Sequence, residues 1–359
     1  MLTGLRVKNF KRLDDVEIEL GGTVVFSWAQ QFGKDHRLAG IGALGSRPPK
    51  MAGEAIRQGH SRKRSGITIN RRDLIAVPVP DANLLWRDLH IRAVQEGTNG
   101  ETKTRNIPID ILVSGVTDDK AWDCGFEFDY ANEESLYCRP LRTSEDRTAE
   151  RMPVPTAAAP VRVAFLPPMS GLAATEDRLY NGAVEVRIGE GRTAEVLRNL
   201  CHQIYTSEKP GSWQALAEQI QNLFGVQLDP PRYIAERGQI TMSYREDSGI
   251  ELDLASSGRG LQQTLLLLAH LYTHPRSVLL LDEPDAHLEI LRQRQIYQIL
   301  TETAERQGCQ VIAASHSEVI LEEAADRDVL VAFVGKPHRI DDRGSQVLKS
   351  LKSIGFDQY

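Results

Sequence analysis

The last third of the chain alternates short apolar runs with longer amphipathic ones, and this alternation constrains the fold more than any other feature. Short apolar runs favour buried strands, whereas apolar residues at helical spacing favour helices. The predicted order is a helix at about 260–272, a strand at 277–281, a helix at about 286–306, a strand at 310–314, a helix from 318 and a strand at 329–334. Strands and helices that alternate with short connections predict a parallel sheet covered by helices.

The earlier part of the chain indicates two further kinds of structure. Residues 2–20 alternate apolar and polar side chains around an Asp-Asp pair, which predicts a hairpin, and the runs 74–79, 89–94, 107–115 and 122–130 predict strands of a meandering antiparallel sheet. Apolar residues at helical spacing in 194–205 and 213–224 predict a helical subdomain. The predicted fold class is therefore α/β: a parallel sheet flanked by helices, an antiparallel β subdomain and a helical subdomain.

Two adjacent carboxylates, Asp282 and Glu283, follow the apolar run 278–281. Ligands of open α/β sheets bind at the carboxyl ends of the strands, which is where this pair is expected to lie. An Asp at that place can hold Mg²⁺, and the next residue can orient an attacking water. For the acid pair alone, a solvated turn capped by Asp285 is the simpler interpretation.

Two other motifs accompany the acid pair. His316 follows the next predicted strand, where an imidazole can polarise a γ-phosphate. Upstream, Ser256 and Gly258 precede a helix, and small residues at a helix N-terminus expose N–H groups that can bind phosphate, although they are also common helix caps. The three motifs in this order are far more specific than any one of them.

In this order the motifs resemble the second half of ABC-type ATPase heads. The opening residues 1–20 resemble the N-terminal strands of SMC-like and recombination-type ATPases, and residues 166–200 are similar to the ATPase half of OLD (overcoming lysogenization defect) nucleases. The resemblance implies a single ATPase head with a β-rich N-terminal lobe, a helical lobe and a lobe that carries the acid pair, at 1–165, 166–250 and 251–359.

The resemblance also implies ATP and Mg²⁺ as ligands and assigns roles to the acid pair. Asp282 corresponds to the Walker B ligand of Mg²⁺, and Glu283 corresponds to the general base that activates water for ATP hydrolysis. His316 corresponds to the switch histidine.

Other implied roles require a second copy of the chain. Ser256 and Gly258 correspond to residues that bind the γ-phosphate of a nucleotide held by an opposing subunit, and Asp285 belongs to the loop called the D-loop. This implies an ATP-dependent homodimer. In OLD-like proteins a TOPRIM nuclease domain follows the ATPase half; residues 1–359 hold none, so nuclease activity would come from a missing part or a separate protein.

The phosphate loop departs from the family pattern G-x-x-x-x-G-K-[ST], which is expected after the predicted strand 23–26. Gly33 and Lys34 occupy the positions of the second Gly and the Lys and are the predicted ATP-binding residues of this loop. Trp28 replaces the first Gly, and Asp35 replaces the Ser or Thr that should hold Mg²⁺. The loop as written predicts weak ATP binding or none.

We hypothesise that a compensated frameshift covers about residues 28–61. Codons permitted for 28–37, read one nucleotide later, encode GPNNSGKTT, which is an intact phosphate loop. The alternative is a natural, irregular and basic loop. The nucleotide sequence of the gene decides between them.

Composition excludes several classes of protein. The chain is 41% hydrophobic and 26% charged with a net charge of −6, so any DNA contact would be local, and only family analogy and the basic stretch 57–72 favour one. No apolar run is long enough for a membrane span, and four scattered cysteines indicate neither a disulfide framework nor a zinc site. The expected setting is the cytoplasm. Two functions stay open: an ATP-hydrolysing module of an OLD-like, DNA-directed system, or a catalytically dead pseudo-ATPase that acts as a dimerising scaffold.

Overall fold

The computed structural model describes residues 1–28, 66–71, 79–96, 102–144, 149–169, 171–325, 327–333 and 337–340. Its strands, in chain order, are β1 (Leu2–Phe10), β2 (Leu13–Glu19), β3 (Thr23–Trp28), β4 (Ile67–Asn70), β5 (Arg92–Glu96), β6 (Thr102–Asn106), β7 (Ile109–Thr117), β8 (Lys120–Asn132), β9 (Ser135–Pro140), β10 (Val163–Leu166), β11 (Gln227–Leu228), β12 (Arg232–Ile234), β13 (Gln239–Thr241), β14 (Ser243–Arg245), β15 (Glu251–Asp253), β16 (Val278–Asp282), β17 (Gln310–Ala314), β18 (Val329–Phe333) and β19 (His338–Arg339). Its α-helices are α1 (Asn181–Gly189), α2 (Leu197–Tyr205), α3 (Ser212–Phe224), α4 (Arg259–Thr273), α5 (Ile290–Gln307) and α6 (Glu318–Ala325).

The chain divides into two compact units. The first takes its described residues from Met1–Gly21, Trp28–Val163 and Val331–Tyr359, and the second from Gly22–Ser27 and Ala164–Leu330. The predicted site residues that the structure describes all belong to the second unit.

The main sheet of the first unit has the strand order β2-β1-β7-β8-β9-β4. Its described pairings from β2 to β4 are antiparallel. One face is apolar because Val16, Val7, Ile111 and Phe126 lie opposite one another on successive strands and are buried. The other face is polar, since side chains alternate across a strand. The predicted hairpin is confirmed, as are the predicted strands 107–115 and 122–130. The predicted strand 89–94 is wrong in its place, since Arg92–Glu96 pairs with β6 in a separate two-stranded sheet, and 74–79 lies almost wholly outside the described residues.

The main sheet of the second unit places β16, β17 and β3 side by side, with β10 beyond β16 and β18 beyond β3. The strands β16, β17 and β3 are parallel. Their residues are almost all buried, as expected of parallel strands with both faces covered. The predicted parallel sheet is confirmed, and with it the α/β class.

The helical part of the second unit packs on α4. Helices α2 and α3 both contact α4, whose side chains from Leu261 to Leu271 are all buried. Helix α3 buries Trp213, Leu216, Ile220 and Leu223, which recur at helical spacing, so the predicted helical subdomain is confirmed. No helix among the described residues is long and apolar enough to cross a membrane.

The helix that follows the acid pair begins later than predicted, at Ile290 rather than at about 286. Between β16 and α5 the chain makes turns, and both Glu283 (φ 47°) and His287 (φ 64°) adopt left-handed backbone conformations. An α-helix cannot continue through such residues. The prediction was wrong because apolar spacing alone does not reveal a turn that carries polar side chains.

Candidate functional site

The acid pair lies at the carboxyl end of β16. Asp282 is the last residue of the strand and lies opposite Ala314 of β17. Glu283 follows it with its side chain only 15% exposed. Its left-handed φ of 47° is uncommon for a residue with a Cβ and is typical of functional sites. The backbone therefore turns sharply where the two carboxylates leave the sheet.

One peptide group joins the ends of three strands. The carbonyl oxygen of Ala314 accepts a hydrogen bond of 2.9 Å from the Glu283 N–H. The N–H of Ser315, in the same peptide group, donates to the carbonyl oxygen of Phe26 in β3 at 3.0 Å. The end of β17 thus fixes the backbone on both sides, where Glu283 leaves β16 and where β3 ends.

His316 lies next to the acid pair. Its ring is half exposed, and its Nδ1 lies 3.8 Å from Glu283 Oε1. This distance is longer than a hydrogen bond and is short enough for a carboxylate and an imidazole to contact the same small group. The structure therefore brings together Asp282, Glu283 and His316, as predicted from their positions at strand ends.

Asp285 is held by a residue that the sequence analysis did not assign. The Ser315 hydroxyl donates to Asp285 Oδ1 at 2.6 Å and accepts the Ser317 N–H at 3.0 Å. Burial raises the pKa of Asp285, and the hydrogen bond from Ser315 partly offsets this rise. The signal for Ser315 is present in the sequence, because it is the small polar residue between the buried strand and His316.

Ser256 and Gly258 lie in a separate loop, at the start of α4. A short 3₁₀ turn, Leu254–Ser256, precedes the helix, and Asp253 caps that turn by accepting the Ala255 N–H at 2.7 Å. Gly258 is the N-cap of α4, and no side chain caps the helix there. Ser256 and Gly258 are both exposed. A helix N-terminus that no side chain caps is suited to an anion.

The start of α4 lies beside the turn that contains Asp285. A Cβ placed on Gly260 would lie 3.5 Å from the carbonyl oxygen of His287, which is ordinary contact distance. The Ser256–Gly258 loop and the turn after Glu283 are therefore neighbours in the same unit. The described hydrogen bonds of Ser256 keep its hydroxyl within its own loop, on the carbonyl oxygen of Asp253 at 2.6 Å.

A buried ionic cluster supports this loop. Arg198 and Glu176 are 1% and 0% exposed, with Arg198 NH1 3.8 Å from Glu176 Oε2. Glu176 also accepts the backbone N–H groups of Arg198 and Asn199 at 2.9 and 2.6 Å. Arg198 NH2 donates to Asp253 Oδ1 at 3.0 Å, and this carboxylate is the one that caps the turn before α4. The cluster is not predictable from the sequence, because no periodicity reveals which charges meet in the core.

Two predicted ATP-binding residues, Gly33 and Lys34, lie outside the described residues, as does most of the hypothesised frameshift segment. The residues that are described fit Mg²⁺ in its usual mode, since Asp282 offers a half-buried carboxylate at the strand end. In the described part of the chain no group of three or more His, Cys, Asp or Glu side chains could hold a metal ion. Mg²⁺ commonly needs only one or two carboxylates when a nucleotide supplies phosphate oxygens.

Solved structures that are similar to this chain include SMC head domains. The SMC head domain from Thermotoga maritima is 12% identical, with a TM-score of 0.45 and coverage of 94% of this chain and 97% of that chain. The Smc head domain bound to the C-terminal domain of ScpA, derived from Pyrococcus furiosus, is 13% identical, with a TM-score of 0.48 and coverage of 98% and 99%. The recombination mediator protein RecF-ATPrS is 12% identical, with a TM-score of 0.44 and coverage of 94% and 98%.

Sequence comparison identifies one family. Residues 181–322 match the family described as "AAA domain, putative AbiEii toxin, Type IV TA system", and no curated protein matches the chain. The matched residues are about two fifths of the chain and include Ser256, Gly258, the acid pair, Asp285 and His316. This match supports an ATPase-type, nucleotide-binding module in the second unit.

Proposed function

We propose that this chain is an ATP-binding and ATP-hydrolysing module of the ABC/SMC type. The observation that carries the proposal is the meeting of Glu283 and His316, 3.8 Å apart at the ends of neighbouring parallel strands, with Asp282 beside them. Carboxylates and a histidine at this edge of a sheet suit phosphoryl transfer to water, because the reaction needs a cation, a base and a hydrogen-bond donor for phosphate oxygens. The family match over residues 181–322 supports the same chemistry.

Each residue has one step in this mechanism. Asp282 would hold Mg²⁺, and the bound ion would supply positive charge against the phosphates of ATP. Glu283 accepts a proton from a water molecule whose oxygen attacks the γ-phosphorus, and the bond between that phosphorus and the β,γ-bridging oxygen breaks. His316 donates a hydrogen bond to an oxygen of the γ-phosphate and so senses whether it is present.

The proposal includes a homodimer formed through the ATP sites. Ser256 and Gly258 are exposed at a helix N-terminus that no side chain caps, so they suit the γ-phosphate of a nucleotide held by a second copy. The Arg198–Asp253 hydrogen bond keeps that loop in place. The resemblance of residues 166–200 to OLD proteins supports a DNA-directed, repair or phage-defence type of system in the cytoplasm, in which another protein or segment supplies nuclease activity. The three lobes bounded at 165 and 250 are part of the same proposal.

A second function, a pseudo-ATPase scaffold, is favoured by one specific observation. Trp28 and Asp35 replace the Gly and the Ser or Thr of a phosphate loop. A Trp does not readily adopt the open backbone that Gly supplies, and an Asp adds negative charge beside the phosphates. A chain with this loop would dimerise without hydrolysing ATP.

The test compares hydrolysis in two backgrounds. The first is the chain as written, and the second carries GPNNSGKTT in place of residues 28–36. Each is assayed for ATPase activity and for ATP-dependent dimerisation, alone and with Glu283→Gln. We expect Glu283→Gln to lower the hydrolysis rate by roughly 10²–10⁴-fold and to stabilise the ATP-bound dimer, because a lost general base slows chemistry without removing nucleotide contacts. Glu289→Gln, at an exposed glutamate of the same connection, is the matched control and should leave the rate unchanged.

The outcomes separate the two functions. Hydrolysis in the background with the intact loop, lost with Glu283→Gln, supports the ATPase. If neither background hydrolyses ATP or dimerises with it, and Glu283→Gln changes nothing, the ATPase proposal fails. A dimer that forms without nucleotide then supports the scaffold.

A further inference from the structure

A row of charged residues crosses the polar face of the antiparallel sheet in the first unit. Asp15, Lys8, Asp110, Glu127 and Arg139 lie directly opposite one another on β2, β1, β7, β8 and β9. The signs of the charges along the row are minus, plus, minus, minus, plus. The row thus places two carboxylates, those of Asp110 and Glu127, face to face on neighbouring strands, an arrangement that destabilises a sheet unless it is compensated.

Glu127 is compensated by two guanidinium groups. Arg139 Nε lies 3.2 Å from Glu127 Oε1, and Arg151 NH2 donates to the same oxygen at 2.9 Å. Arg139 also pairs with Asp129, the next residue on that face of β8. One of the two facing carboxylates is therefore paired with cationic groups of the protein itself.

Asp110 makes no ion pair with a described residue, and the charges of Lys8 and Arg6 only partly oppose the rise of its pKa. The ammonium group of Lys8, opposite Asp110, lies 3.4 Å from Asp15 on the other side. Oδ1 of Asp110 is shielded from solvent and accepts no hydrogen bond from the described part of the chain. Burial raises the pKa of Asp110 to about 6, and the charge of Glu127 adds to this rise. A buried acceptor without a donor is unusual in folded proteins and calls for an explanation.

The Asp110 carboxyl lines a cleft of about 1180 Å³ that belongs wholly to the first unit. The lining also includes Arg105, on β6, and Arg142, after β9. Arg105 forms no ion pair with a described residue, and Arg142 donates through NH1 to the carbonyl oxygen of Ala149. The cleft therefore offers an acceptor that lacks a donor and cationic groups that can bind an anion.

We propose that this cleft is a second ligand site, which binds an organic phosphate that carries an amino group, such as a nucleotide whose base has an exocyclic amine. The amino group donates to Asp110, and the phosphate binds Arg105 and Arg142. A simple anion would leave Asp110 without a donor and would approach the paired carboxylates. A metal ion is disfavoured because no three ligating side chains converge in the described residues. The cleft is at the upper end of ligand-site volumes, so it has room for a nucleotide.

The experiment uses two nucleotides whose bases differ in the exocyclic group and in ring N3, which is an acceptor in CMP and an N–H donor in UMP. CMP carries an amino group where UMP carries a carbonyl oxygen, and both have the same sugar and phosphate. Binding of each to the full chain is measured by isothermal titration calorimetry, with inorganic phosphate as a third probe. We expect CMP to bind at least about tenfold more tightly than UMP, since a hydrogen bond to a charged acceptor contributes that much. Inorganic phosphate should bind more weakly than either.

Variants assign the contacts to residues. Asp110→Asn should abolish the preference for CMP, and Arg105→Gln should weaken CMP and UMP by the same factor. Asp123→Asn, at an exposed residue of the neighbouring strand β8 outside the cleft, is the matched control and should change neither. Thermal unfolding of each variant shows whether it is folded.

Several results would overturn the proposal. They are the absence of binding by both nucleotides, equal affinities for CMP and UMP, and a preference that survives Asp110→Asn. Asp282→Asn serves as a separate check, because it alters only the proposed ATP site. If Asp282→Asn abolishes CMP binding, the nucleotide occupies that site and the cleft is not a ligand site. Absence of ATP hydrolysis in both backgrounds before any substitution at Asp282, with CMP binding intact, would contradict the proposed function and leave this one standing.

Discussion

Glu176 in the second unit and Asp110 in the first are both carboxylates withdrawn from water, and their surroundings differ. Glu176 accepts two backbone N–H groups and an amide N–H of Asn199, and it faces the Arg198 guanidinium. Asp110 faces another carboxylate and has an oxygen that accepts no hydrogen bond from the described residues. Burial of a carboxylate therefore does not by itself mark a binding site. A buried carboxylate whose hydrogen bonds come from the protein stabilises the fold. One that lacks hydrogen-bond donors in the protein is available to bind a ligand.

The largest expected loss of stability comes from removing the arginine that faces Glu176. Arg198→Met should lower the free energy of unfolding by about 3–5 kcal/mol, because it leaves the Glu176 charge buried without its cation. Urea denaturation followed by circular dichroism measures the change. Arg192→Met is the control, since Arg192 lies in an exposed ion pair with Glu195 and its loss should not be measurable. A loss below about 1 kcal/mol for Arg198→Met would show that backbone donors alone satisfy Glu176.

Asp110→Asn should raise the free energy of unfolding, whereas Arg198→Met lowers it. The pKa of Asp110 is raised from 3.8 to about 6, so the native state binds more protons than the unfolded state between these values. The stability that protonation provides is present below about pH 4 and is lost as the pH rises through about 6. Removing the charge should therefore raise the free energy of unfolding by about 2 kcal/mol at pH 7.5 and by nothing measurable at pH 4. Urea denaturation between pH 4 and pH 7.5 measures this change in stability. A variant that is less stable than the unsubstituted chain at pH 7.5 would show that the Asp110 charge does not destabilise the fold.

Ser315→Ala tests a carboxylate that lies between these two cases, that of Asp285. Asp285 keeps one strong donor, the Ser315 hydroxyl at 2.6 Å. Removing it should cost about 1–2 kcal/mol of stability, because a buried acceptor loses its partner, and should raise the pKa of Asp285 further. Ser256→Ala, which removes an exposed hydroxyl, is the control and should cost less. Equal losses for the two variants would mean that the Asp285 contact contributes nothing of its own.

The smallest effect is expected at the exposed end of the charged row. Asp15 pairs with Arg6 at 2.9 Å, with both side chains more than 40% exposed, and this hydrogen bond lowers the pKa of Asp15. Asp15→Asn should cost about 0.5 kcal/mol or less, and the cost should disappear in 1 M salt. The same variant releases Lys8 towards Asp110, so the pKa of Asp110, followed by NMR, should fall. An unchanged value would show that Lys8 does not respond to its partner.

The sequence predicts the parallel strands well because burial on both faces produces continuous apolar runs, as in Val278–Leu281. It also places Glu283 and His316 at one edge, since parallel strands share their carboxyl ends. It does not predict that Asp110 faces Glu127, because alternation gives the face of a strand and not its register with a partner. Nor does it predict the Glu176–Arg198 pair, which depends on how loops pack. Spacing statistics describe single elements, and these contacts join separate ones.

The peptide group between Ala314 and Ser315 has a mechanical consequence. It accepts a hydrogen bond from Glu283 and donates one to Phe26, and it is planar, so its two ends cannot rotate independently. A tilt that shortens one of these bonds must strain the other. The backbone position of the proposed catalytic base therefore depends in part on where β3 ends.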